Sequence, residues 1–130
     1  MVHLADTGYF VALLNRRDAH HAWALALAGT LEPPLLTCES ALCEAAYLLD
    51  APDKVAAAVV AGDVVIQSNL DWGRIQQLLE TYQQRMDWTD ACMVQLSELQ
   101  RDCRVLTVDK EDFAIYRRLR NQAIPTLSPP

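Results

Sequence analysis

Four carboxylic acids stand where a parallel α/β sheet would gather them at one edge. Asp6 ends an apolar run at the start of the chain, and Asp109 ends the later run Val-Leu-Thr-Val that begins at position 105. Asp90 lies in the first turn of a predicted helix, and Glu44 lies in the second turn of another. Ligands of such sheets bind beyond the carboxyl ends of the strands. The sequence therefore predicts a four-carboxylate site.

Carboxylate oxygens in such a set suit Mg²⁺ or Mn²⁺, hard cations that keep several waters and share phosphate oxygens with a substrate. The chemistry that this donor set indicates is metal-assisted hydrolysis of a phosphodiester. Each acid also has a simpler interpretation. Asp6, Asp87 and Asp90 occupy positions typical of helix caps, Asp109 could belong to a polar turn, and Glu44 could face solvent. The functional interpretation depends on the joint placement of the four.

Short apolar runs alternate with helical periodicity along the whole chain. The pattern predicts strands at residues 1–6, 35–36, 63–67 and 104–108, with an edge strand at 123–127. It predicts helices at residues 7–15, 20–28, 38–49, 54–61, 71–85, from Asp87 or Thr89 to about 101, and 111–120. This alternation is typical of a parallel sheet covered by helices on both faces. We expect an α/β/α fold with four to five strands.

The bulk composition indicates one globular domain over residues 1–130, with the last few residues as a loose tail. Hydrophobic residues make up 52% of the chain and charged residues 22%. No apolar run approaches the roughly 20 residues that span a bilayer, and the first residues do not resemble an export signal. The four cysteines show no zinc-ligand spacing and are expected to be reduced thiols. Together these features predict a cytoplasmic protein that is not in a membrane.

The charge balance leaves a nuclease open. A formal net charge of −6 disfavours a nucleic-acid binder that depends on overall electrostatic attraction. A carboxylate cluster that holds divalent cations avoids this objection, because the ions supply positive charge locally. Nine of the 11 basic residues are arginine, which suits bidentate phosphate contacts.

Four segments resemble, in order, the motifs of the PIN-domain ribonuclease family. The first is Leu-Ala-Asp-Thr-Gly from position 4, and the second is the helix 38–49, where Glu44 rather than Glu39 matches the family's glutamate. The third is Met-Asp-Trp-Thr-Asp from position 86, and the fourth is Val-Leu-Thr-Val-Asp-Lys-Glu-Asp-Phe from position 105. The likeness covers nearly the whole chain. It is closest to VapC-type toxins of type II toxin–antitoxin systems.

The resemblance implies a PIN-like α/β/α sandwich and an RNase site that depends on Mg²⁺ or Mn²⁺. Asp6, Glu44, Asp90 and Asp109 would be the catalytic acids and metal ligands. Thr7 and Thr107 would be hydroxyls that orient these carboxylates, and Asp87 and Asp112 would be additional acids of the site. It also implies an RNA substrate, a homodimer and a cognate antitoxin whose tail covers the acidic groove.

A basic run forms the end of the last predicted helix. Tyr-Arg-Arg-Leu-Arg from position 116 is either a solvated helix end or a contact for RNA or the antitoxin through Arg117, Arg118 and Arg120.

Two rival enzyme classes require residues that this chain lacks, and a third rival, an inactive scaffold, has to be separated by experiment. A haloacid-dehalogenase phosphatase needs a second Asp where this chain has Gly8, and a receiver domain needs an acid where the third strand ends in Gln-Ser-Asn. The alternative from another class is a catalytically inactive PIN-like binding or scaffold module. Titration with Mn²⁺ separates it from an enzyme, because an inactive scaffold should show no binding that depends on Asp6 and Asp90.

Overall fold

The computed structural model describes residues 1–130 as strands and helices in alternation. The strands are β1 Val2–Ala5, β2 Leu35–Thr37, β3 Val64–Ile66, β4 Cys103–Leu106, β5 Arg117–Arg118, β6 Gln122–Ala123 and β7 Thr126–Leu127. The helices are α1 Thr7–Leu14, α2 His21–Ala28, α3 Glu39–Leu49, α4 Pro52–Val60, α5 Trp72–Tyr82, α6 Trp88–Leu99 and α7 Lys110–Ile115, with a 3₁₀ turn at Gln83–Arg85 after α5.

Five strands form one parallel sheet in the order β3-β2-β1-β4-β7. β1 and β4 are central neighbours, with Ala5 opposite Leu106 in the register. The predicted α/β fold with a parallel sheet of four to five strands is therefore confirmed, including the edge position of the last strand. A separate two-stranded antiparallel ribbon joins β5 and β6.

Alternate side chains of the central strands fill two hydrophobic cores. Leu4 and Val105 belong to one core, under α5, α6 and α7, while Ala5 and Leu106 belong to the other, under α1 to α4. This alternation follows from the two-residue side-chain period of a strand. Because both faces are covered, the carboxyl edge of the sheet is where polar groups of the central strands can reach solvent.

The end of the chain differs from the prediction of a helix over residues 111–120. The last helix ends at Ile115, because Tyr116 has an extended backbone and its ring is fully buried against Tyr82 and Phe113. Leu119 and Asn121 have positive φ angles of 51° and 64°, which a helix does not allow. The chain therefore turns back as the β5–β6 ribbon. None of the helices combines the length and apolar character needed to cross a bilayer.

Candidate active site

Asp6 and Asp109 lie at the same edge of the sheet, at the ends of two paired strands. Asp6 follows β1 directly, and its backbone N–H donates to the Leu106 carbonyl at 3.0 Å. Asp109 follows β4 after two residues and caps α7. The parallel pairing of β1 with β4 thus brings two of the predicted acids together, as their positions in the sequence indicate.

The Thr107 hydroxyl links these two acids. It donates to Oδ2 of Asp6 at 3.0 Å and accepts the backbone N–H of Asp109 at 3.0 Å. This is the geometry expected of a hydroxyl that orients a carboxylate. Thr7 differs from the expectation. Its hydroxyl donates to the Ala41 carbonyl at 3.4 Å, and only its backbone N–H reaches Oδ1 of Asp6, at 2.8 Å.

Asp90 approaches the same edge from the first turn of α6. It forms a reciprocal capping box with Asp87: the Asp90 N–H donates to the Asp87 carboxylate at 2.8 Å, and the Asp87 N–H donates back at 3.4 Å. The Tyr116 hydroxyl lies 2.8 Å from Oδ2 of Asp90 and 2.9 Å from the Arg85 carbonyl. Sequence reasoning missed this tyrosine, because the residue stood in a run assigned to a basic helix.

Three carboxylates come close enough to share one cation. Oxygen atoms of Asp90, Asp109 and Asp112 all lie within 4.8 Å of one another. Asp112, a less certain candidate from the sequence, is therefore part of the tightest group. It also pairs with Arg85 at 2.8 Å, on the exposed side of the cluster. No other ion pair involves an acid of this cluster.

Burial and mutual repulsion raise the pKa values of the central acids. Asp6 is 7% exposed, and burial raises its pKa from 3.8 to about 6, with further repulsion from Asp87. Burial also raises the pKa of Asp90 to about 7, and the charges of Asp87 and Asp6 act in the same direction. The pKa of Asp109 is raised by burial and by Asp112. The negative charge of Asp6, Asp90 and Asp109 therefore has no cationic partner within the protein.

Three helix N-termini face these acids. Asp6 caps α1, Asp87 caps α6 and Asp109 caps α7, each through its side chain. The simpler interpretation of Asp6 and Asp87 as caps is thus correct for their local role. Asp109, which on that interpretation belonged to a polar turn, is a cap as well. The partial positive charge at the helix N-termini offsets part of the repulsion. It does not bring the pKa values of Asp6 and Asp90 back to their ordinary range.

Glu44 lies beside the cluster rather than inside its tightest group. Its side chain is exposed on α3, and one carboxylate oxygen accepts a hydrogen bond from the Thr89 hydroxyl in the first turn of α6. The contact joins α3 to the same helix end that carries Asp90. Glu39, in the first turn of α3, makes no side-chain hydrogen bond. The sequence suggested Thr89 only as a possible helix cap, and its contact with Glu44 gave no signal because the two residues are 45 positions apart.

The basic run after α7 is mostly structural. Arg118 is 7% exposed, and its guanidinium donates to the carbonyls of Ser97 and Arg101, so it is not available to RNA or an antitoxin as predicted. Arg117 donates to carbonyls at the end of α7, among them that of Ala114. Arg120 is exposed and is the member of the run that remains free for such a contact.

The donor set of this site fits a hard divalent cation. All the converging ligand atoms are carboxylate oxygens, partly buried and close together, and no sulfur or imidazole group belongs to the cluster. The residues that could hold the ion are Asp90, Asp109 and Asp112, with Asp6 next to them. A carboxylate cluster at the edge of a sheet can position a phosphate group and an attacking water through such an ion.

This sheet order and its helices define a PIN-like fold that two solved structures share. The structure is similar to VapC20 from Mycobacterium tuberculosis, a toxin that cleaves the sarcin–ricin loop, with a TM-score of 0.73 and 21% sequence identity, covering 87% of this chain and 94% of that one. It is also similar to a chain of a toxin–antitoxin complex from Klebsiella pneumoniae, with a TM-score of 0.65 and 18% identity, covering 88% and 91%.

No protein-family model and no curated protein matches the sequence. At this level of identity, the likeness to solved structures establishes the fold. The PIN-like fold that the sequence motifs implied is therefore confirmed, while activity, metal and partners need the argument that follows.

Proposed function

We propose that this chain is an endoribonuclease that depends on Mg²⁺ or Mn²⁺, with residues 1–130 as its single domain. The observation that carries the proposal is the cluster of Asp90, Asp109 and Asp112, which lies beside Asp6 at the carboxyl edge of a PIN-like sheet. Partly buried acids at this density repel one another when ionised, and a cation in the site relieves that repulsion. An RNA-cleaving toxin has the same fold.

Each acid has a distinct part in this proposal. Asp90, Asp109 and Asp112 would hold the cation, which would supply a water of lowered pKa and positive charge to balance the phosphate. Asp6 is fixed by Thr107 and the Thr7 N–H, and its carboxylate would accept the proton of an attacking water. Glu44, held by Thr89, completes the site from α3. Asp87 orients Asp90 through the capping box.

The first experiment is cleavage by purified, partner-free protein. We expect single-stranded or looped RNA to be cut in Mg²⁺ or Mn²⁺ and EDTA to abolish the cutting. Asp6→Asn should lose activity. Asp53→Asn, which removes an exposed acid in the first turn of α4, should keep it. Robust cleavage in EDTA would contradict the metal requirement, and absence of both cleavage and Mn²⁺ binding would favour the inactive scaffold.

The same proposal extends to partners. We propose that the chain is the toxin of a type II pair, that it forms a homodimer in the cytoplasm, and that an antitoxin tail presents Arg or Lys to the acids. A guanidinium would replace the charge of the cation by bidentate contacts. The internal pair of Arg85 with Asp112 supports this, because it shows that the cluster accepts a guanidinium at 2.8 Å.

Growth measurements test the assignment as a toxin. Expression alone should slow growth of a bacterial host, the Asp90→Asn variant should not, and a small protein encoded next to the gene should relieve the effect. Harmless overexpression of intact, soluble protein would contradict the toxin assignment and leave the fold unaffected.

A further inference from the structure

Two tryptophans stand exposed beside the acids. Trp72 is the first residue of α5 and Trp88 is the first residue of α6. Their side chains remain 53% and 56% exposed, and their ring centroids lie 5.4 Å apart with planes tilted by 35°. Tryptophan is normally well buried, since its large apolar surface favours burial. A pair of indoles left in water marks a surface that has a use other than folding.

The two indoles line a cleft together with other apolar side chains and several polar ones. The cleft has a volume of about 260 Å³ and is also lined by Ser40, Gln67 and Ser68. The side chains of Gln67 and Ser68 make no hydrogen bond within the protein. The cleft thus offers aromatic faces together with an amide and a hydroxyl that are free to bind a ligand.

The cleft opens at the same edge of the sheet as the acids. Gln67 follows β3 directly, and β3 and β2 lie next to β1 in the sheet. Two strand spacings, roughly 10 Å, therefore separate the end of β3 from Asp6. On the other side, Trp88 is adjacent to Asp87 and two residues before Asp90 in the same helix turn. A polymer that places a phosphate on the acids brings its neighbouring units to this cleft.

The chemistry of the cleft suits a nucleobase rather than a phosphate. No Lys or Arg lines it, and Glu39 does, so it offers no charge that would attract the RNA backbone. Unstacked bases of single-stranded RNA stack on aromatic side chains and use their edges for hydrogen bonds. Two indoles with a free amide and hydroxyl provide both interactions.

We propose that the cleft between Trp72 and Trp88 is a subsite for one unpaired RNA base next to the scissile phosphate. The inference rests on the proposed ribonuclease function, since the substrate at the acids places the base. Stacking on the indoles holds the base, and Gln67 and Ser68 contact its edge. The substrate class is then single-stranded or looped RNA, because only an unstacked, unpaired base exposes both a face for the indoles and an edge for Gln67 and Ser68.

Fluorescence of a base analogue tests the subsite. The probe is a set of short single-stranded RNAs that carry one 2-aminopurine at successive positions, bound in Mn²⁺ to protein with the Glu44→Gln change, which slows cleavage and keeps Asp90, Asp109 and Asp112 for the cation. We expect strong quenching at one position. Trp88→Ala and Trp72→Ala should each remove the quenching and weaken binding roughly tenfold. Trp88→Phe should recover part of both. The matched control is Tyr47→Ala, which removes an aromatic side chain that is 84% exposed on α3.

The outcomes separate this inference from the proposed function. Wild-type cleavage with RNA binding unchanged in both tryptophan variants would overturn the subsite and leave the ribonuclease intact. The same result, together with a change of the Trp88→Ala variant from dimer to monomer in light scattering, would assign the indoles to a protein interface and also overturn it. Position-specific quenching without cleavage would support the base site while the ribonuclease proposal failed.

Discussion

Two carboxylates at opposite ends of α6 have opposite surroundings. Glu98, in the last turn, is held by the Arg74 guanidinium at 2.8–3.2 Å and accepts the Leu119 N–H at 2.7 Å. Asp90, in the first turn, has no cationic partner and has acids as neighbours. The helix dipole alone would favour the acid at the N-terminus and disfavour the one at the C-terminus. In this protein the acid at the C-terminal end, Glu98, is the one with a cationic partner, and Asp90 at the N-terminal end has none.

The difference separates a structural carboxylate from one available for chemistry. Glu98 joins α5, α6 and the turn after β5 through contacts that the protein supplies in full. Asp6, Asp90 and Asp109 keep raised pKa values, and the cluster around Asp90 leaves carboxylate oxygen atoms for an external cation. The following predictions test this contrast, beginning with the largest effect.

Asp90→Asn should separate activity from stability. We expect RNA cleavage to fall about a thousandfold or more, equivalent to roughly 4 kcal/mol of lost transition-state stabilisation. At about pH 8 in EDTA the variant should melt above the wild type, because a repelled buried charge is removed while Asn still accepts from Tyr116. Cleavage assays and thermal melting measure the two effects. A variant that melts well below the wild type would mean that Asp90 is chiefly a helix cap.

Arg74→Met should have the converse effect at the other end of α6. The change leaves Glu98 with only 8% of its side chain exposed and without its cation. We expect the free energy of unfolding to fall by about 3 kcal/mol, as when one partner of a buried pair is removed. The cleavage rate of the folded variant should stay at the wild-type value. Arg120→Met, at an exposed arginine, is the matched control, and equal destabilisation by both would contradict the contrast.

Glu44→Gln and Glu39→Gln test which acid of α3 belongs to the site. Glu44 contacts Thr89 at the end of α6 that carries Asp90, whereas Glu39 has no such contact. We expect Glu44→Gln to lower the cleavage rate by about a hundredfold, or roughly 3 kcal/mol, and Glu39→Gln to change it little. Rates under single-turnover conditions provide the comparison. The reverse order would show that the register of this motif is wrong.

Tyr116→Phe should shift the pH profile as well as the rate. The Tyr116 hydroxyl lowers the pKa of Asp90 by donating to its carboxylate, so its loss should raise that pKa further. We expect about tenfold slower cleavage and an acidic limb displaced to higher pH. Tyr82→Phe is the control, because the Tyr82 hydroxyl accepts the Arg117 N–H and contacts no acid. A slower Tyr116→Phe enzyme with an unshifted profile would indicate a purely structural tyrosine.

The sequence predicts most of the fold and the central acids because both follow from local patterns. Apolar runs that end in Asp6 and lead to Asp109 identify strand ends, and parallel pairing then brings the acids together. Thr89 and Tyr116 could not be predicted, because their roles arise from packing between segments far apart in the chain. The sequence indicates an exposed Arg118. It can be buried in the structure because its guanidinium donates to the Ser97 carbonyl in the last turn of α6, which the sequence does not reveal.

The central claim, that the acid cluster is a divalent-cation site, has a signature in the pH dependence of melting. The pKa values of Asp6 and Asp90 are raised from 3.8 to about 6 and about 7, so the folded state binds protons that the unfolded state has released. This stabilisation is complete below the unfolded value and is lost as pH rises through about 6 and about 7. Metal-free protein should therefore melt higher at about pH 5 than at about pH 8.

The most direct measurement is thermal melting with and without millimolar Mn²⁺ at those two pH values. We expect Mn²⁺ to raise the melting temperature clearly at about pH 8. At a hundredfold excess over Kd, binding of the ion should add up to roughly 3 kcal/mol to the free energy of unfolding. The increase should be small at about pH 5, where protons compete for the carboxylates. Asp90→Asn should lose most of the increase. An unchanged melting temperature in Mn²⁺ at about pH 8, or an equal increase in Asp90→Asn, would contradict the account.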